Sequence, residues 1–162
     1  MDMHNLNFIT PDDPWHTPGD TPAGVPAAHQ LLSPEQWQAL RSTWPADCPV
    51  GLRLANAVDV ETLRTELKRF AVVALHFPKW TDGRAYTQAR LLRTRFGFQG
   101  QIRATGDVLV DMLPLLKRTG FDAVQLRGDQ KLSHARRALG FFADFYQGDV
   151  VQASPRFARH LA

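Results

Sequence analysis

From Val50 onward the chain alternates short β-prone runs with longer segments of helical periodicity, which limits it to folds built from consecutive βα units. The run 50–55 is apolar and bounded by Pro49 and Asn56; 71–77 (AVVALHF) ends at Pro78. A third run, 101–105, follows Gly100, and 122–127 supplies a fourth. Between them Asp59 predicts the cap of a helix over 60–70, with Val60, Leu63, Leu67 and Phe70 on one face. A second helix spans 86–96 and stops at Gly97. A third starts at the cap Asp107, runs to Thr119 and stops at Gly120, with Pro114 predicted to kink it. The last spans 130–146, with Gly148 beyond.

Short connections between such units predict parallel strands joined by right-handed crossovers. Two α/β architectures fit: four βα units in a half-barrel, or, as second choice, an open flavodoxin-like sheet. An open sheet covered on both faces needs strands apolar on both sides. The second strand meets this. The others carry Arg53, then Gln101, Arg103 and Thr105, then Gln125 and Arg127, at a spacing of two. A polar inner face favours the half-barrel, and a half-barrel needing cover for that face predicts a homodimer.

The first thirty residues are organised differently. Pro11, Pro14, Pro18, Pro22 and Pro26 rule out a helix and a central strand, so 1–30 reads as an extended arm ordered where Phe8, Trp15 or Val25 can dock. Ser33-Pro34-Glu35-Gln36 then gives a helix start, with Ser as cap, Pro at the first position and Gln three residues on. That helix buries Trp37 and Leu40 and ends at Trp44-Pro45. One α/β domain over 31–149 and a tail over 150–162 complete the organisation.

Composition excludes several classes. The lone Cys48 leaves no internal disulfide, redox pair or cysteine-rich metal site. His134 and His160 have no partner at metal-ligand spacing, so no metal is predicted. Without a GxGxxG after the first strand or a P-loop, no cofactor is predicted either. No apolar run is long enough to span a membrane, and the acidic start lacks a signal-peptide pattern, which predicts a cytoplasmic protein. The arm holds Asp2, Asp12, Asp13 and Asp20 and no cation, so the +3 formal charge leaves +7 on the rest. That balance suits small anions or an acidic partner; the arginines follow no nucleic-acid motif.

Ligands of parallel α/β folds bind at the C-terminal ends of strands. Those ends carry Arg53 and Asn56, then His76, Lys79, Asp82 and Arg84, then Arg103, Thr105 and Asp107, then Arg127 and Asp129. Converging arginines and helix N-termini suit an oxyanion such as sulfite, sulfate, phosphate or a carboxylate. The competing structural reading pairs Arg53, Arg103 and Arg127 with Asp82, Asp107 and Asp129 as salt bridges. The loop 77–84 (FPKWTDGR) stands out, with a Trp, a Gly and three charges.

Four blocks then match one family in order: 51–56 (GLRLAN), 77–93 (FPKWTDGRAYTQARLLR), 103–109 (RATGDVL) and 118–123 (RTGFDA). Over about 50–146 the chain resembles the bacterial domain of unknown function 934 family, whose members carry an oxidoreductase label tied to sulfite reduction. The resemblance implies an accessory role beside the sulfite reductase hemoprotein in cysteine biosynthesis. It carries over Arg53, Phe77, Pro78, Asp82, Gly83, Arg84, Gln88, Arg90, Arg93, Arg103, Gly106, Asp107, Gly120, Phe121 and Asp122. The chain departs at His76, where an acid is expected in many relatives, and at Thr119, where a Cys often stands.

Three readings follow. The first is an accessory of sulfite reduction that binds a small oxyanion through Arg53, Lys79, Arg84, Arg90, Arg103 and Arg127. The second is a stand-alone enzyme acting on a phosphorylated or carboxylated metabolite, with Asp82 or Asp107 as acid or base. In the third, a non-catalytic partner stabilises a reductase complex through its arginines.

Overall fold

The computed structural model describes residues 6–18, 25–142 and 145–159; parts of the arm, of the last helix's expected span, and His160 lie outside them. Six parallel strands form one sheet: β1 (Asn7–Phe8), β2 (Gln30–Leu32), β3 (Val50–Leu54), β4 (Val72–Phe77), β5 (Gln101–Gly106) and β6 (Ala123–Val124). Their order is β1-β6-β5-β4-β3-β2, so from β2 to β6 each strand pairs with the next in sequence. No reversal interrupts that progression, unlike a flavodoxin-type sheet. Right-handed crossovers that always step the same way put their connections on one face.

The main core lies on that face. Leu52 and Leu54 of β3, Val73, Leu75 and Phe77 of β4, and Ile102 and Ala104 of β5 pack with Trp37, Leu92, Leu113 and Leu116. Those last four belong to α1 (Pro34–Leu40), α2 (Arg84–Thr94) and α3 (Leu113–Arg118). Strand side chains alternate between faces, and the alternate residues form a smaller cluster of Leu31, Val72 and Ala74 under Trp15. Gly51 belongs there too. A Cβ at that position would fall 2.6 Å from Leu31 and 2.9 Å from the Trp15 ring, so only glycine lets the arm lie flat on β3.

The arm contains edge strands that the proline count did not reveal. The Asn7 N–H donates to Asp122 O (2.8 Å) and the Ile9 N–H to Val124 O (2.9 Å), adding β1 beside β6. The chain then crosses the uncovered face and bridges the opposite edge, where the His16 N–H donates to His29 O (3.0 Å) and Leu31 N–H to His16 O (2.8 Å). Phe8 and Trp15 dock as expected, whereas Val25 is exposed. Part of the cover that the sequence argument sought in a second copy thus comes from the chain's own arm.

Other expectations are corrected. The segment 60–70 forms two 3₁₀ turns (Val60–Leu63 and Leu67–Arg69) rather than one α-helix. Spacings of three and four bury Val60, Leu63, Leu67 and Phe70 in either geometry, so periodicity could not separate them. Pro114 sits in the first turn of α3, where its missing N–H is harmless, and it kinks nothing. The fourth strand pairs only through 123–124. The following helix, α4 (Leu132–Leu139), ends at Gly140. A short α5 (Arg156–Arg159) lies in the expected tail.

One buried cation ties the helices to the sheet. Arg93 of α2 donates to Gly120 O (3.0 Å), Phe98 O (2.6 Å) and Gly100 O (2.8 Å), and pairs with the Asp122 carboxylate. The same carboxylate accepts the Ile102 N–H at 2.7 Å. Gly120 adopts φ +99°, and a Cβ there would meet Arg93 Cγ at 2.6 Å, so the staple needs glycine. Removing one partner of a buried, multiply bonded pair costs about 3–5 kcal/mol. Arg93→Ala and Asp122→Ala are therefore each expected to destabilise by about that much in urea unfolding. Arg95→Ala breaks an exposed pair with Glu61 and should cost under about 1 kcal/mol. Equal losses at the two sites would refute the staple.

Candidate functional site

The uncovered face and the arm enclose a cleft of about 760 Å³ at the C-terminal ends of β3, β4 and β5. Arg53, Ala74, His76, Arg103, Thr105 and Gln125 form its floor, and Ile9, Thr10, Asp13 and Trp15 of the arm form a wall. The predicted polar face is thus the lining of a cleft.

Arg103 is its most tightly held cation, 6% exposed at the side chain. Its Nη1 donates to Asp13 Oδ1 (2.7 Å), its Nε to Gln101 Oε1 (2.6 Å), and its guanidinium lies 5.8 Å from the Trp15 ring centre. Asp13 Oδ1 also accepts the Trp15 N–H at 2.9 Å. Partial burial pushes the Asp13 carboxyl up, but the bonds from Arg103 and Trp15 outweigh it and leave the group below its ordinary value. Half-buried Arg53 faces the cleft beside Glu35 at the start of α1. Hydrogen bonds from the Ser33 hydroxyl and from its own N–H lower the Glu35 carboxyl, and the Arg53 charge adds to them. His76 reaches the cleft from the end of β4.

A second cluster sits on the rim. Asp107 caps no helix, contrary to expectation, because the chain turns away to a 3₁₀ turn at Val110–Met112 whose cap position is Leu109. Asp107 Oδ2 instead accepts the Trp80 N–H (2.9 Å), and Oδ1 accepts from Arg127 Nη1 (2.6 Å). Arg127 also grips both oxygens of Asp129, at 2.7 and 2.8 Å. The Trp80 N–H first, then Arg127, holds the Asp107 carboxyl below its usual value. Arg84 grips both oxygens of Asp82, at 3.0 and 2.7 Å, and holds that carboxyl far below the ordinary range.

The structural reading therefore accounts for Arg84 and Arg127, and for Arg103 through Asp13 rather than a rim acid. Of the six predicted anion-binding residues, the cleft gathers Arg53 and Arg103. Arg84 and Arg127 hold rim carboxylates, while Lys79 on the 77–84 loop and Arg90 on α2 are exposed and outside the cleft lining. Asp82 and Asp107, the proposed acid or base, have their proton affinity lowered by Arg84 for the first and by the Trp80 N–H and Arg127 for the second, which disfavours the acid role and weakens each as a base. Sequence reasoning missed Asp13 and Glu35 as cleft residues. Asp13 comes to Arg103 only because β1 pairs with β6, which no local signal reveals. Among the described residues, no three His, Cys, Asp or Glu side chains gather as metal ligands, and no helix is long and apolar enough to cross a membrane.

Asp107 thus pins the 77–84 loop to Arg127. Its folded-state pKa is lowered, so the anchor is fully present above the unfolded carboxylate value, about 3.9, and is lost progressively as pH falls from there through the lower folded value. Hydrogen exchange at the Trp80 amide, corrected for intrinsic rate, should show constant protection from about pH 8 to about pH 5 and a progressive decline below about pH 4. In Asp107→Ala that protection should fall throughout the range from about pH 5 to about pH 8; unchanged protection would show that the loop holds itself.

Residues 51–157 match the family described as bacterial protein of unknown function (DUF934), and the chain belongs to that family. A comparison with curated proteins finds no match.

Proposed function

We propose that this DUF934 protein is an accessory of assimilatory sulfite reduction, acting beside the sulfite reductase hemoprotein in cysteine biosynthesis and binding a small oxyanion in the cleft. Membership of the family supports the pathway, through the role that the sequence resemblance implies. The observation that carries the site is the convergence of Arg53, Arg103 and His76 at the strand C-termini, in a cleft large enough for a small anion and its water. Arginine suits such a ligand because its planar fork donates two parallel hydrogen bonds to one oxyanion. Arg103 is already oriented by Gln101 and Trp15, so an incoming anion meets a guanidinium whose rotamer entropy is largely gone. The Asp13 carboxylate occupies the same guanidinium and would be the group displaced.

The stand-alone enzyme reading receives less support. As an acid it needs a protonated carboxyl, and as a base a carboxylate of raised proton affinity, whereas the arginines bonded to Asp82 and Asp107 lower the proton affinity of both.

Calorimetry with sulfite, sulfate and phosphate separates cleft from rim. Sulfite should bind, and Arg53→Met and Arg103→Met should each weaken it by at least about tenfold, roughly the worth of one charge-assisted hydrogen bond. Arg127→Met should leave binding unchanged. Absence of binding by all three anions, or loss through Arg127 alone, would overturn the site.

A further inference from the structure

Away from the cleft, 141–157 exposes an unusual quantity of aromatic surface. Phe141 and Phe142 are each 60% exposed, Tyr146 69% and Phe157 56%. Exposed apolar surface of this kind marks interaction sites in soluble proteins, because a partner that covers the rings removes them from water. The rings pair with one another: Tyr146 and Phe157 lie 5.4 Å apart, tilted by 39°, and Phe142 lies 6.0 Å from Phe145. Two guanidiniums cover them, Arg118 at 4.2 Å from Phe145 and Arg137 at 5.7 Å from Phe141.

The segment is also basic for its length. Between 131 and 159 the sequence has Lys131, Arg136, Arg137, Arg156 and Arg159 against Asp144 and Asp149, a balance of +3. The 100 residues from 31 to 130 sum to +4 and the arm to −4, so cationic charge is densest in this segment. Asp149 is engaged by Arg118 at 2.9 Å.

We infer that this aromatic and arginine-rich face docks an acidic protein surface. The inference rests on the accessory role proposed above, whose partner it seats on the α4–α5 side rather than at the cleft. A second copy fits poorly, because a two-fold contact would set these cations against themselves. A lipid surface would seat the rings at the interface with Arg137 among the headgroups, and the vesicle measurement below distinguishes it. An acidic protein surface satisfies both halves, with carboxylates for the arginine forks and apolar pockets for the rings.

The test measures binding of the full chain to purified sulfite reductase hemoprotein by interferometry, with light scattering and anionic vesicles in parallel. Wild type should bind, and binding should weaken at least about tenfold as ionic strength rises from about 0.05 to about 0.3 M. Arg137→Glu and, independently, Phe157→Ser should each weaken it at least tenfold while leaving sulfite calorimetry and thermal unfolding unchanged. If wild type binds and both variants bind equally well, the docking face is wrong and the accessory role stands. If wild type does not bind, both fall. A dimer that Arg137→Glu dissolves, or tighter binding to vesicles than to the hemoprotein, overturns the face in favour of those occupants.

Discussion

A parallel sheet wound in a single direction carries helices on one face and leaves the other bare, and the rest of this structure answers that constraint. The bare face cannot be plain hydrophobic surface in water, and a fully polar one would pack against nothing. The chain divides it instead. Leu31, Val72 and Ala74 make a small apolar floor for Trp15, while Arg53, Arg103, Thr105 and Gln125 line the open cleft beside it. The arm that covers the floor is fixed at both edges of the sheet by backbone hydrogen bonds and across its middle by the Asp13–Arg103 pair. The cleft is therefore a product of topology: it exists where the arm's cover of the bare face stops.

The arginines sort into roles by burial. Arg93 is sequestered with Asp122 and three carbonyls, where removal of either charge leaves the other unsatisfied in a low-dielectric setting. Arg84 and Arg127 sit on the rim in solvent, where bidentate pairing shapes loops but contributes little to global stability. Arg53 and Arg103 remain at the cleft. Arg137 is exposed and stacked on an exposed ring, a combination that suits surfaces made to be covered.

Much of this was legible in sequence, and the failures have definite causes. Strands 50–54, 72–77 and 101–106 announced themselves by β-rich runs ending at breakers, and the Ser33 capping box appears as read, with Gln36 reaching back to the Ser33 N–H. The spacing of Arg53, Arg103 and Thr105 correctly put a polar face opposite the helices. The 3₁₀ turns after Asp59 escaped because a spacing of three to four residues serves both helix types. Asp107 looked like a cap because an Asp after Gly ordinarily is one; its real partners, Trp80 and Arg127, are 27 and 20 residues away. Edge strand β1 has two residues and no pattern of its own, so its pairing with β6, and with it the placement of Asp13 on Arg103, depends on tertiary structure alone.

The most direct measurement joins cleft to pathway: growth of a gene-deletion strain on sulfite as sole sulfur source, carrying wild type or a folded Arg103→Met variant. Failure of the deletion strain on sulfite, with growth on sulfide, rescue by wild type and no rescue by Arg103→Met, is the result predicted here. Normal growth of the deletion strain on sulfite, or full rescue by Arg103→Met, contradicts it.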